Sequence, residues 1–88
     1  MSVDHYLLLA RSVTYAQRMQ KVLNRAGIRC RIFRAPRTLT DMGCAYTVYV
    51  AAEDMTTAFD ILHRSSLAPA KIFFNQQGMY QEVRYDLS

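Results

Sequence analysis

Apolar and polar positions alternate along this chain with two different periods, and the switches between them outline its elements. His5 to Ala10, HYLLLA, is a short apolar run bounded by polar residues, which predicts a buried strand. Val13, Ala16, Met19, Val22, Leu23 and Ala26 then recur mostly at three- and four-residue spacing. That period predicts an amphipathic helix with Gln17, Arg18, Lys21 and Arg25 on its outer face. Ser12 is placed to cap its N-terminus and Gly27 to end it at C′. Ile28 to Phe33, IRCRIF, alternates as a strand does. Pro36 argues against further strand, and Gly43 permits a tight turn, so 34–43 is the main loop.

Ala45 to Val50 is rich in β-branched and aromatic residues and forms the third predicted strand. Glu53 and Asp54 suit the start of a second helix, whose apolar stripe is Met55, Ala58, Phe59 and Leu62. His63 and Arg64 lie at its favourable C-terminal end. Lys71 to Phe74 is a fourth strand, Asn75 to Gly78 a turn, and Tyr80 to Tyr85 a short extra strand. The order is βαββαβ with a C-terminal addition. This predicts an α+β, ferredoxin-like split-βαβ sandwich, with two helices on one face of an antiparallel sheet. The other face would be left to solvent, a partner or a ligand.

Composition narrows the class. The chain has 88 residues, 51% hydrophobic and 20% charged, so residues 1–88 read as one small globular domain. No basic segment precedes an apolar run at the N-terminus, and no apolar stretch is long enough to span a bilayer. With two cysteines and no export signal, the expected location is the cytoplasm, with thiols in place of a disulfide framework. Eleven Lys/Arg stand against seven Asp/Glu, a net charge of +4, and the excess lies between Arg11 and Arg37. Such a half could attract nucleic acid, an acidic protein or an anionic ligand, or form a solvated face.

The candidate chemistry is concentrated in the cysteines. Alternation puts Cys30 on one face with Ile28 and Ile32, as a small buried hydrophobe. Cys44 follows Gly43 where the loop turns into a strand, and a side chain there can reach solvent. If the two strands form a hairpin, Cys30 pairs near Val48 or Tyr49, too far from Cys44 for a disulfide. Arg34 and Arg37 on the same loop could supply the positive field that favours a thiolate. No close Cys or His spacing suggests a metal, and His5 and His63 need no such role. There is no glycine-rich phosphate loop, no GxSxG elbow and no Cys–His pair close in sequence, so no cofactor or conventional enzyme chemistry is expected.

An ordered set of features spans roughly residues 5 to 64. It runs from the YLLL strand and Ala26-Gly27-Ile28 to Pro36-Arg37, Gly43-Cys44 and the acidic pair Glu53-Asp54. In this order the chain resembles a family of small bacterial sulfur/selenium carrier-like proteins. The resemblance implies that Cys44 holds a persulfide or selenide, with Pro36 and Arg37 shaping and charging its loop; Gly43 would let donor and acceptor approach. It also implies sulfur or selenium donor and acceptor proteins as partners. A different reading makes the chain a binding module. Its open sheet face would then present Arg29, Arg31, Phe33, Tyr49, Lys71 and Phe73 to single-stranded nucleic acid or a protein. The same exposed aromatics would suit self-association, as a dimer.

Overall fold

A computed structural model of the protein describes residues 4–36 and 45–84. The elements are β1 (His5–Ala10), α1 (Val13–Arg25), β2 (Cys30–Arg34), β3 (Tyr46–Ala51), α2 (Met55–Arg64), β4 (Lys71–Gln76) and β5 (Met79–Val83). A 3-10 turn, Ala52–Asp54, leads into α2. The strands make one sheet in the order β2-β3-β1-β4-β5, and every neighbouring pair is antiparallel. Each helix therefore connects two strands that are separated by a strand of the other half.

Local chemistry explains the element ends. Ser12 is extended, and its side chain accepts a hydrogen bond from the Tyr15 N–H at 3.1 Å, as an N-cap does. After α1 the chain reverses through Gly27 at φ +84°, and the Ile28 N–H returns to the Leu23 carbonyl. That left-handed step is cheap only for glycine. Gln77 and Gly78, at φ 55° and 84°, join β4 to β5, with Gln76 paired to Met79. Two positive φ values in a two-residue loop are the hairpin turn whose twist matches the strands.

Both helices cover the same face of the sheet. Ala16, Met19 and Leu23 of α1 and Met55, Ala58, Phe59 and Leu62 of α2 pack against Leu8, Ala10, Val48, Val50 and Ile72. The outer face of α1 is exposed as its period predicts. Val13 and Ala26, assigned to the apolar stripe, are exposed instead, because they sit at the helix ends.

The other face departs from expectation. Leu7, Leu9, Ala45 and Phe73 form a second buried cluster, with Ala35 and Tyr49 packed on it. Leu9 and Thr47 are 0% exposed on this side, so its centre is not open to solvent. Such double burial is consistent with the unbroken apolar run of β1, since strands covered on both faces lack alternation. What stays accessible lies toward the edges, at Phe33 on β2 and Tyr80 on β5.

Candidate functional site

The β2–β3 ladder pairs Cys30 with Val50 and Arg34 with Tyr46. This register shifts Cys30 one or two places from the predicted partners, Val48 or Tyr49. The Ala35 N–H then donates to the Ala45 carbonyl at 2.9 Å, closing the base of the connection that carries Cys44. Ala45 is 2% exposed and packed in the second cluster, so the residue that follows Cys44 is firmly seated. Arg34, exposed, ends β2 one residue before that closure. Cys44, Arg37 and Gly43 lie outside the described residues.

Cys30 is fully defined by its surroundings. It is half-buried against the helix-side core, with Ile32 beside it. Its Sγ lies 3.8 Å from the Gln20 carbonyl and 3.7 Å from Asn24 Oδ1, both on α1. The Gln20 side chain returns a hydrogen bond to the Cys30 carbonyl at 3.3 Å. Burial pushes the Cys30 thiol above its ordinary pKa, so near neutrality it is a thiol and a poor nucleophile. The folded state therefore holds this proton more tightly than the unfolded chain does. The resulting stabilisation is present below the unfolded thiol pKa, about 8.5, and is lost as pH rises through the folded value. Urea midpoints should accordingly fall above about pH 8.5, and Cys30→Ala should flatten that decline.

The register places Arg31, Phe33, Tyr49, Lys71 and Phe73 on one face of the sheet, as alternation predicts, though they differ in exposure. Arg31 pairs across the ladder with Tyr49, and Phe33 meets Tyr49 edge-on with ring centroids 6.4 Å apart. Arg29 precedes β2 and is exposed. Lys71, on β4, lies 3.8 Å from Glu82 in an exposed ion pair. Phe73 is 5% exposed and belongs to the second cluster, so its ring is not presented to a ligand. A shallow depression of about 630 Å³ lies beside Cys30, lined by Arg29 and Arg31 but also by Glu53 and Asp54, so its charges offset.

Sequence reading passed over His5 and Tyr80 as partners. His5 stacks on Tyr49 with centroids 4.2 Å apart and 27° between planes. Its Nε2 is 3.0 Å from the Tyr80 hydroxyl, across a separation of 75 residues. Asn75 pairs with both His5 and Tyr80, which places the two side chains in one row on the face opposite the helices. No local pattern could disclose a contact set by the β1–β4–β5 register. Among the described residues no three His, Cys, Asp or Glu side chains are grouped as a metal site would require. No helix among them is long and apolar enough to cross a membrane.

A five-stranded antiparallel sheet backed by two helices, with a half-buried cysteine on β2, defines a small α+β protein. The chain belongs to the family described as Putative Se/S carrier protein-like, whose model matches residues 5–73. The match ends within β4, so β5 and Tyr80 lie beyond it. No curated protein and no solved structure matches the chain.

Proposed function

We propose that this protein carries a sulfur or selenium atom on Cys44, taking it from one partner and passing it to another. The observation that carries the reading is the state of Cys30. Membership of a carrier family calls for a reactive thiol, and the chain holds two cysteines. Cys30 is packed against α1 with its pKa raised, which suits a structural thiol and leaves the transfer role to Cys44. The strand order supports assigning the fold to the ferredoxin-like split-βαβ class, with β5 as an added edge strand and the whole chain as one domain.

Transfer on this reading balances without an outside oxidant. The Cys44 thiolate attacks the outer sulfur of a donor persulfide. The new S–S bond forms as the donor S–S bond breaks, and the donor leaves as a thiolate. An acceptor nucleophile then attacks the outer sulfur, and Cys44 departs as the thiolate it was. Selenium follows the same course through an S–Se bond. Arg34, exposed at the base of the connection, and Arg37 within it would favour the anionic forms in both steps. Gly43 would leave room for the approaching partner.

Cys30 is no resolving partner on this account. It lies opposite Val50, five ladder positions from the level of Ala45, or about 17 Å along the strands. One peptide link, about 3.8 Å between Cα atoms, joins Ala45 to Cys44. That leaves the separation well beyond the roughly 7 Å disulfide limit. The carried atom would thus be kept from loss to an internal disulfide. The test is the pH dependence of alkylation in a Cys30→Ser background. Half-maximal reactivity below the ordinary thiol value of about 8.5 supports a carrier nucleophile. A value at or above that one rejects it.

A further inference from the structure

The two edges of the sheet differ in charge. β5 carries no base between Met79 and Val83, and its Glu82 is paired to Lys71. β2, at the other edge, holds Arg31 and Arg34 with Arg29 just before them, all exposed. Among the described residues none of these three forms an ion pair. The ladder also fixes which backbone groups of β2 face outward. In antiparallel pairing, residues that bond to the partner strand alternate with residues whose N–H and C=O point away. The Ala35 N–H bonds to the Ala45 carbonyl, so Phe33 and Arg31 share that inward phase. Cys30, Ile32 and Arg34 are in the outward phase. The Cys30 carbonyl agrees, since it accepts the Gln20 side-chain amide of α1 at 3.3 Å. Ile32 and Arg34 thus turn their N–H and C=O groups to an edge that no strand covers among the described residues. Such an edge is a template for one more strand.

We propose that the β2 edge takes up an extended acidic segment of another protein as a sixth strand, antiparallel to β2. Main-chain hydrogen bonds to Ile32 and Arg34 supply the pairing, and the side chains beside them select the sequence. Arg31 and Phe33 lie on the face away from the helices, Ile32 and Arg34 on the helix side. The matching guest has carboxylates opposite Arg31 and Arg34 and apolar residues opposite Ile32 and Phe33. Lys21 and Arg25, exposed on the helix that touches Cys30, strengthen the positive field. A second copy's β2 is a poor occupant. It would bring Arg31 and Arg34 of both chains onto one short ladder that holds no carboxylate. A nucleic-acid strand fits less well too. Glu53 and Asp54 share a depression with Arg29 and Arg31 and oppose a continuous polyanion, whereas a peptide sets its charges at single positions.

The proposal is independent of the Cys44 reading, and its test involves no thiol. The probe is the end-blocked peptide Thr-Thr-Glu-Val-Val-Glu-Thr-Thr, titrated into the full chain and followed by backbone amide NMR and hydrogen exchange. It should saturate with a Kd of about 0.1 mM and slow exchange of the Ile32 and Arg34 amides about tenfold. Replacing both glutamates by lysine should weaken binding about tenfold. N-methylation of the first glutamate and second valine, which bond to Arg34 and Ile32, should abolish binding. Methylation of the first valine and second glutamate should leave it within about threefold, and neither change touches the fold of the protein. Arg31→Glu should bind more tightly a peptide with lysine in place of the second glutamate than the original one. The proposal is overturned by non-saturable shifts, by shifts confined to β5, by equal affinity for the lysine peptide, or by indifference to which residues are methylated. Protection of the Ile32 and Arg34 amides in the protein alone, rising with its concentration, would overturn it in favour of a second copy. Tighter binding of a single-stranded RNA oligomer that leaves these two amides exchanging would overturn it in favour of a nucleic-acid face.

Discussion

Replacing Leu9 by alanine is expected to cost about 2–5 kcal/mol of folding stability, as much as the same change at Leu8. The two side chains point to opposite faces of β1, Leu8 under the helices and Leu9 into the second cluster, and both are 0% exposed. A domain of this length has a total stability of roughly 4–13 kcal/mol, so either substitution removes a large share of it. The Leu9 result discriminates. If the face away from the helices were open to solvent at its centre, truncating Leu9 would move stability by only about 0.5 kcal/mol. Phe33→Ala on the same face is the internal control, because a ring 47% exposed should cost well under half as much as Leu9. Urea unfolding decides it, with an unchanged m-value confirming that stability and not compactness was altered. A Leu9 effect equal to that of Phe33 would remove the second cluster from the account of this fold.

The element order was legible because each signal for it is local. Ser12, Gly27 and the three- and four-residue spacing between them define α1 without reference to anything distant. The turn at Gln77-Gly78 likewise follows from a glycine placed between two alternating stretches. Burial on the second face was less legible, although its signal was present. Tyr6 to Ala10 is apolar at every position, which is how a strand covered on both sides reads. Setting it into a sheet with one open face left Phe73 exposed on a side of the sheet where it is buried.

Registers were the other weak point. A shift of one or two residues in the β2–β3 pairing moves Cys30 from beside Val48 or Tyr49 to Val50, and no short-range feature sets it. The His5–Tyr80 contact is still more remote, since it needs β4 to lie beside β1 and β5 beside β4. For the thiols, alternation placed Cys30 correctly among Ile28 and Ile32. The Cys44 assignment came from loop chemistry and family resemblance, and it falls outside the described residues.

Cys44→Ser is expected to reduce loading from a persulfide or perselenide donor to background, while Cys30→Ser retains the greater part of it. Serine keeps the size of the thiol but is not a nucleophile toward sulfane sulfur near neutral pH, so the loss should be complete rather than graded. At Cys30 the same substitution acts on packing. It sets a hydroxyl against the helix-side core and disturbs the contacts to Gln20 and Asn24, which lowers stability by about 1 kcal/mol. The two variants thus separate chemistry from folding, provided loading and urea midpoint are measured on the same samples. Mass spectrometry after incubation with a low-molecular-weight persulfide reads the first as the added mass of one sulfur atom. Retained loading in Cys44→Ser together with its loss in Cys30→Ser would transfer the role to Cys30. That outcome would require a donor to reach a half-buried sulfur already in contact with Gln20 and Asn24 of α1.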